Sequence, residues 1–151
     1  MMQLTKELKT NNFESEFQKT LVNIIFTYHW SSQKLKDILT PYDITQQQYN
    51  VLRILRTLYP SPSTMNLIQA RILDKVSDTS RIVDRLIQKE YVEKTVNPYD
   101  KRAVDIIISN KGLALLRKMD KEVDLSAFIS PNLTVEEAEQ LNELLNKMRG
   151  I

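Results

Sequence analysis

The 151-residue chain has no cysteine, only two glycines, and a single histidine and tryptophan. The missing thiols exclude thiol catalysis, thiolate metal sites and cysteine-based redox sensing in one step. Gly112 and Gly150 are too sparse for a glycine loop that cradles a nucleotide. With His29 alone and no carboxylates clustered at a loop, no acid–base pair and no metal site is expected. The chain is therefore read as a non-enzyme with no catalytic residues and no cofactor. No apolar run approaches the roughly 18–20 residues of a membrane span, so no membrane partner is expected. The first residues lack a basic segment followed by an apolar one, so no signal peptide is expected either. A reducing cytoplasm fits all of these absences.

What is present is ordinary for a globular protein: 42% hydrophobic and 26% charged residues. The net charge of +2 is small, but it is localised. Residues 63–112 carry nine Lys/Arg against seven Asp/Glu, and the remainder balances at twelve of each. A modest basic excess in one segment agrees with a nucleic-acid partner without deciding it.

Residues 1–12 are mostly polar and are expected to fray. From Phe13 the apolar residues Phe17, Leu21, Ile24, Ile25, Tyr28, Leu35, Ile38 and Leu39 recur at helical spacing. Thr40-Pro41 should end this long helix, because the residue before proline avoids the α region. A second helix is predicted from Thr45, where Thr45 and Gln48 have capping-box spacing, and Pro60 and Pro62 break the chain after it. A short helix follows from Ser63 or Thr64, then a turn at Asp74-Lys75. The next helix is capped by Ser77 or Asp78 and buries Ile82, Val83, Leu86 and Ile87.

After Glu90 the period changes to that of strands. Residues 91–96 and 103–108 are rich in β-branched side chains, and Asn97 to Arg102 form a polar hairpin loop between them. Helical periodicity resumes at Leu113, and a last helix opens on the capping box Thr134-x-x-Glu137. The expected fold is mainly α: a winged helix-turn-helix, helices plus a two-stranded β wing, at residues 45–112. Residues 13–40 and 113–149, from both chain ends, would form a helical dimerisation region. A helix-turn-helix with a basic hairpin behind it can lay one helix in a major groove and reach phosphates or the neighbouring minor groove with the hairpin.

These motifs, in this order, resemble the MarR-type winged helix-turn-helix transcriptional regulators from about residue 13 to 149. The most specific piece is Asp100-Lys101-Arg102-Ala103-Val104, similar to the family's D-x-R-x-V wing. Ile108-Ser109-Asn110-Lys111-Gly112 is similar to its entry into the next helix. Ser80 to Leu86 resembles the core of its recognition helix, and Leu133 to Leu145 its closing dimerisation helix. Two departures stand out. Glu90 occupies a position where the family commonly has glycine, so it must either adopt a left-handed conformation or end the helix differently. The stretch from Ile72 to Asp78 is also longer than the family's commonest turn.

The resemblance implies a homodimer on double-stranded DNA, reading a pseudo-palindromic operator with two recognition helices about one helical turn apart. The exposed N-terminal residues of the recognition helix would be Ser77, Asp78, Thr79 and Arg81, with Arg85 one turn on. An arginine there suits bidentate contact with guanine; the competing role is a phosphate contact or a pairing with Asp78 or Asp84. Arg102 suits a narrow, electronegative minor groove. By resemblance, Asp100 positions the basic side chains and Lys101 meets a phosphate. Thr64 and Gln69 on the preceding helix would touch the DNA backbone, adding affinity but no sequence information. In the family, pockets lie between the dimerisation helices and the DNA-binding lobe, which makes Tyr28, His29, Trp30 and Tyr49 candidates for a small-molecule effector site, with ordinary packing as the competing role. Repression relieved by such a ligand is the family's usual mechanism. The alternative is a winged-helix protein-interaction module that does not read DNA.

Overall fold

Ser15 begins the first described helix, its hydroxyl accepting the Gln18 N–H at 3.1 Å. The computed structural model describes Lys6 and residues 13–151; the expectation that residues 1–12 fray falls, Lys6 aside, outside them. Helix α1 spans Glu16–Leu39 and stops before Pro41, as the sequence predicts. A single 3-10 turn at Thr40–Tyr42, not foreseen, carries the chain on, and Asp43 closes it in the left-handed region at φ 53°. Phe17, Leu21, Ile25 and Tyr28 of α1 share one stripe and are all exposed.

The chain divides into two compact units, Met1–Gln46 and Gln47–Ile151. Apart from the first residue of α2, the second unit holds every later element: α2 (Gln46–Leu58), α3 (Met65–Arg71), α4 (Thr79–Gln88), β1 (Val92–Val96), β2 (Val104–Ile108), α5 (Asn110–Glu122) and α6 (Val135–Met148). The described chain is thus mainly helical with one two-stranded antiparallel sheet, the expected fold class.

One hydrophobic cluster ties the unit together. Val51, Leu52 and Leu55 of α2 join Ile68 of α3, Val83 and Leu86 of α4, Val92 of β1, Ile106 and Ile108 of β2, and Leu113 and Leu116 of α5. Each fully buried Leu, Ile or Val contributes about 1.5–3 kcal/mol relative to an exposed one. The wing strands bury alternate residues of β2, with Val92 opposite Ile108 and Val96 opposite Val104. Helix α6 keeps its capping box, Thr134 and Glu137 each satisfying the other's backbone, yet buries none of its residues.

An unpredicted link reaches the sheet from outside. Ser63 exchanges both backbone hydrogen bonds with Ile106, at 2.7 and 2.8 Å, and is itself buried. The residue before α3 therefore acts as a third, one-residue strand, and the wing is fastened to the start of the helix-turn-helix.

Candidate nucleic-acid interface

Thr64 caps α3, its hydroxyl accepting the Leu67 N–H at 3.2 Å. The turn that follows is held by polar side chains. The Asp74 carboxylate accepts from the Ser77 hydroxyl at 2.6 Å and from the Val76 N–H at 3.1 Å. Those bonds, the Ser77 hydroxyl first, hold the Asp74 carboxyl below its ordinary pKa. The Lys75 ammonium donates to the Ala70 carbonyl at 2.5 Å, covering the C-terminal end of α3. Asp78 is the cap of α4, accepting the Arg81 N–H at 3.2 Å.

The position of Thr79 corrects one expectation. Predicted among the exposed residues of the recognition helix, it is only 3% exposed. Its hydroxyl donates to Gln69 Oε1 on α3. The half-buried Gln69 amide also reaches the Lys75 carbonyl, at 3.5 Å. The pair joins the two helices of the motif, so Thr79 offers no side chain to an outside partner. Burial follows from position: Thr79 lies one helical turn before Val83 on the core-facing side.

The solvent face of α4 is instead Ser80, Arg81, Asp84, Arg85 and Gln88, all exposed. Ser80 and Gln88 were not singled out from the sequence. The signal was available, because they flank Asp84 at four-residue spacing opposite the buried Val83 and Leu86. Among the described residues neither Arg81 nor Arg85 has a side-chain partner, and the pairings with Asp78 or Asp84 that compete with DNA contact are not formed. Their donors point into solvent from one helix face.

The wing tip is ordered by its own side chains. Asn97 Oδ1 accepts the N–H groups of Tyr99 and Asp100 at 2.8 and 3.0 Å, while its amide donates to Asp105 at 3.0 Å. The Asp100 carboxylate accepts the Arg102 backbone N–H at 3.0 Å. Asp100 thus bonds the main chain of Arg102 rather than its guanidinium. Lys101 and Arg102 are exposed, with side chains that have no partner among the described residues.

The joint between α4 and the wing resolves the alternative posed by Glu90. It adopts the left-handed conformation, φ 62°. The Tyr91 N–H returns to the Leu86 carbonyl and the Glu90 N–H to that of Ile87, the double closure usually built around glycine.

Elsewhere, Tyr28 and His29 meet edge to face on α1 with ring centroids 5.4 Å apart, and Tyr28 is 62% exposed. Trp30 is more covered than Tyr28 but still exposed. Tyr49 belongs to the second unit, packed against its core with the Arg53 guanidinium 5.9 Å from its ring. Among the described residues no group of three or more His, Asp or Glu could hold a metal ion, and no helix is long and apolar enough to cross a membrane.

Comparison with known proteins agrees with this geometry. The profile of the MarR family matches residues 44–104. The multiple antibiotic resistance protein MarR of Escherichia coli is 32% identical over 126 residues, 80% of this chain and 86% of that protein. A mutant MarR from E. coli, solved in complex with operator DNA, superposes with a TM-score of 0.78 at 28% identity, covering 91% of this chain and 99% of that one. The S. aureus MepR–DNA complex shares the fold, with a TM-score of 0.70 at 22% identity over 92% of this chain and 98% of that one.

Proposed function

Because the chain belongs to the MarR family, we propose that it is a homodimeric regulator of transcription that binds a pseudo-palindromic operator in double-stranded DNA. The observation that carries this reading is the pairing of two cationic surfaces in one unit. Arg81 and Arg85 stand on the solvent face of α4, and Lys101 and Arg102 at the tip of the wing, all with side chains unpartnered among the described residues. Helix α4 would lie in the major groove, with Arg81 the first choice for a bidentate guanine contact. Arg102 would enter the adjacent minor groove, Lys101 would meet a phosphate, and Asp100 would hold the loop that presents them. Ser77 and Asp78 at the start of α4 and Thr64 at the start of α3 lie where backbone contacts are made in such motifs. Gln69 and Thr79 support the motif from within.

The exposed stripes of α1 and α6 supply the surface for a second copy. A small-molecule effector that prefers one spacing of the DNA-binding regions of the two copies would weaken operator binding by its differential affinity; Tyr28, His29 and Trp30 on α1 are the residues we assign to its contact. The reading assigns no catalytic activity, and such a regulator would act in the cytoplasm.

The test is fluorescence anisotropy with the duplex immediately upstream of the protein's own gene against a scrambled duplex, over a salt series, for wild type and Arg102→Ala. Preferential binding that falls steeply with salt and is weakened by the substitution is expected. Weak, salt-insensitive binding to both duplexes would overturn it in favour of a protein-interaction module.

A further inference from the structure

We propose that Lys111 is a positioning residue for DNA recognition: by pairing with Glu90 it holds the left-handed joint at which the chain leaves α4 for the wing. This role rests on the DNA-binding reading above and adds to it a group outside the recognition helix and the wing tip.

The joint is built from four residues of two stretches of chain, Glu90 and Tyr91 between α4 and β1, and Ser109 and Lys111 at the start of α5. Glu90 sits at φ 62°, a conformation that side-chain-bearing residues adopt only when their surroundings favour it. Lys111, in the first turn of α5, donates to Glu90 Oε2 at 2.9 Å. The same ammonium lies 5.4 Å from the centroid of the Tyr91 ring, the next residue along. Ser109, the cap of α5, donates its hydroxyl to the Glu90 carbonyl at 2.6 Å and its N–H to the Tyr91 carbonyl at 2.9 Å. The Glu90 carboxyl is held below its ordinary pKa by the Lys111 hydrogen bond and charge, so it is ionised at neutral pH.

Ser109 holds the backbone of the joint, but among the described residues only Lys111 acts on the side chain that makes the left-handed conformation costly. Without it Glu90 has less reason to stay at positive φ, and other backbone conformations would swing β1 away from α4. Arg81 and Arg85 are on one side of this joint and Arg102 on the other. DNA that must meet both sees a reduced fraction of competent molecules, and the apparent affinity falls by that fraction. Glycine at position 90 would make the ion pair unnecessary, because it takes positive φ at no steric cost.

The experiment uses full-length protein and a duplex selected by wild type from a random-sequence pool. Affinity and its salt dependence are measured for wild type, Lys111→Met, Glu90→Gly and the double variant, with amide exchange at Glu90 and Tyr91 in parallel. Lys111→Met should bind measurably more weakly, by up to about five-fold, the ceiling set by an exposed ion pair, with an unchanged salt slope. It should exchange faster at both amides. In the Glu90→Gly background the same substitution should change neither quantity. Equal losses in both backgrounds, with a salt slope lowered by about one phosphate contact, would make Lys111 a direct DNA ligand and overturn the positioning role. Unchanged affinity and exchange in Lys111→Met would overturn it as well. Failure of wild type to select any duplex would instead overturn the DNA-binding reading beneath it.

Discussion

The Thr79 hydroxyl donates to Gln69 Oε1 and so joins the first turn of the recognition helix to α3. The bond lies within the helix-turn-helix, on the side of α4 turned away from Arg81 and Arg85, and it makes a side chain that looks like a DNA contact part of the scaffold.

Thr79→Val keeps the shape and removes the donor, leaving the half-buried Gln69 carbonyl oxygen without its partner. A loss of about 1–3 kcal/mol of stability is expected, the usual cost of an unsatisfied polar group. Thr79→Ser should lose less, because the hydroxyl is kept. Urea unfolding of the three proteins checks the order. Equal stability of the valine variant and wild type would mean that the Thr79–Gln69 bond does not help to hold the two helices together.

Gly112 predicts a substitution whose sign opposes helix propensity. In an exposed helix interior, glycine to alanine stabilises by about 1 kcal/mol. Here a Cβ would run into the Tyr91 carbonyl oxygen and lie 2.8 Å from Ile108 Cγ1, so the start of α5 would have to move away from Tyr91 and the end of β2. Gly112→Ala should therefore destabilise by about 1–3 kcal/mol, the cost of overpacking. Thermal unfolding reads it directly, and a rise in Tm would mean that the contact relaxes freely.

The helices, the caps at Thr64, Asp78 and Thr134, and the hairpin were legible because each is a local signal. Pro41 stops α1, Thr134 and Glu137 form their capping box, and the change of period after Glu90 marks the wing. What the sequence could not yield were relations between distant residues. Ser63 pairs with Ile106 forty-three positions away, and no local pattern encodes that partner. Thr79 was misplaced for a related reason. Read as part of the N-terminal turn, it belongs with Asp78 and Arg81; read against Val83, it belongs to the buried face. Only the packing of α4 decides between them. The Glu90 conformation was half legible: the missing glycine posed the question, and Lys111, twenty-one residues on, supplied the answer.

Asp74 gives the turn before α4 a pH dependence. Its folded pKa is lowered, chiefly by the Ser77 hydroxyl and then by the Val76 N–H. A lowered carboxylate pKa means that the folded state binds the proton less readily than the unfolded chain. The contribution is therefore fully present above the unfolded value, near about 4, and is lost as the pH falls through the folded value. Asp74→Asn removes the ionising group. The difference in urea midpoint between wild type and this variant should be constant from about pH 7 to about pH 5 and shrink steadily below. A difference that grows on acidification would reverse the assigned sign.

The exposed apolar stripes of α1 and α6 are where a dimer can be told from a monomer by mutation. Phe17 is 88% exposed and Leu144 63%, and α6 buries no residue at all. Single apolar side chains at a surface are ordinary, but Leu141, Leu144 and Met148 recur along one helix. In a second copy of the chain they would find a partner surface of the same kind. Leu144→Glu should then leave the fold of the separate chain almost untouched, within about 0.5 kcal/mol, since the position is exposed there. In the dimer the same carboxylate would be buried without a partner, and the dissociation constant should rise at least about ten-fold. Sedimentation equilibrium over a dilution series measures this. Operator affinity should fall with it, because a molecule holding both half-sites gains an effective concentration that two separate chains lack. Phe17→Glu tests the other stripe in the same way. An unchanged sedimentation profile for both variants would place the dimer contact elsewhere on the chain, whereas a wild type that is monomeric at micromolar concentration would remove the dimer altogether.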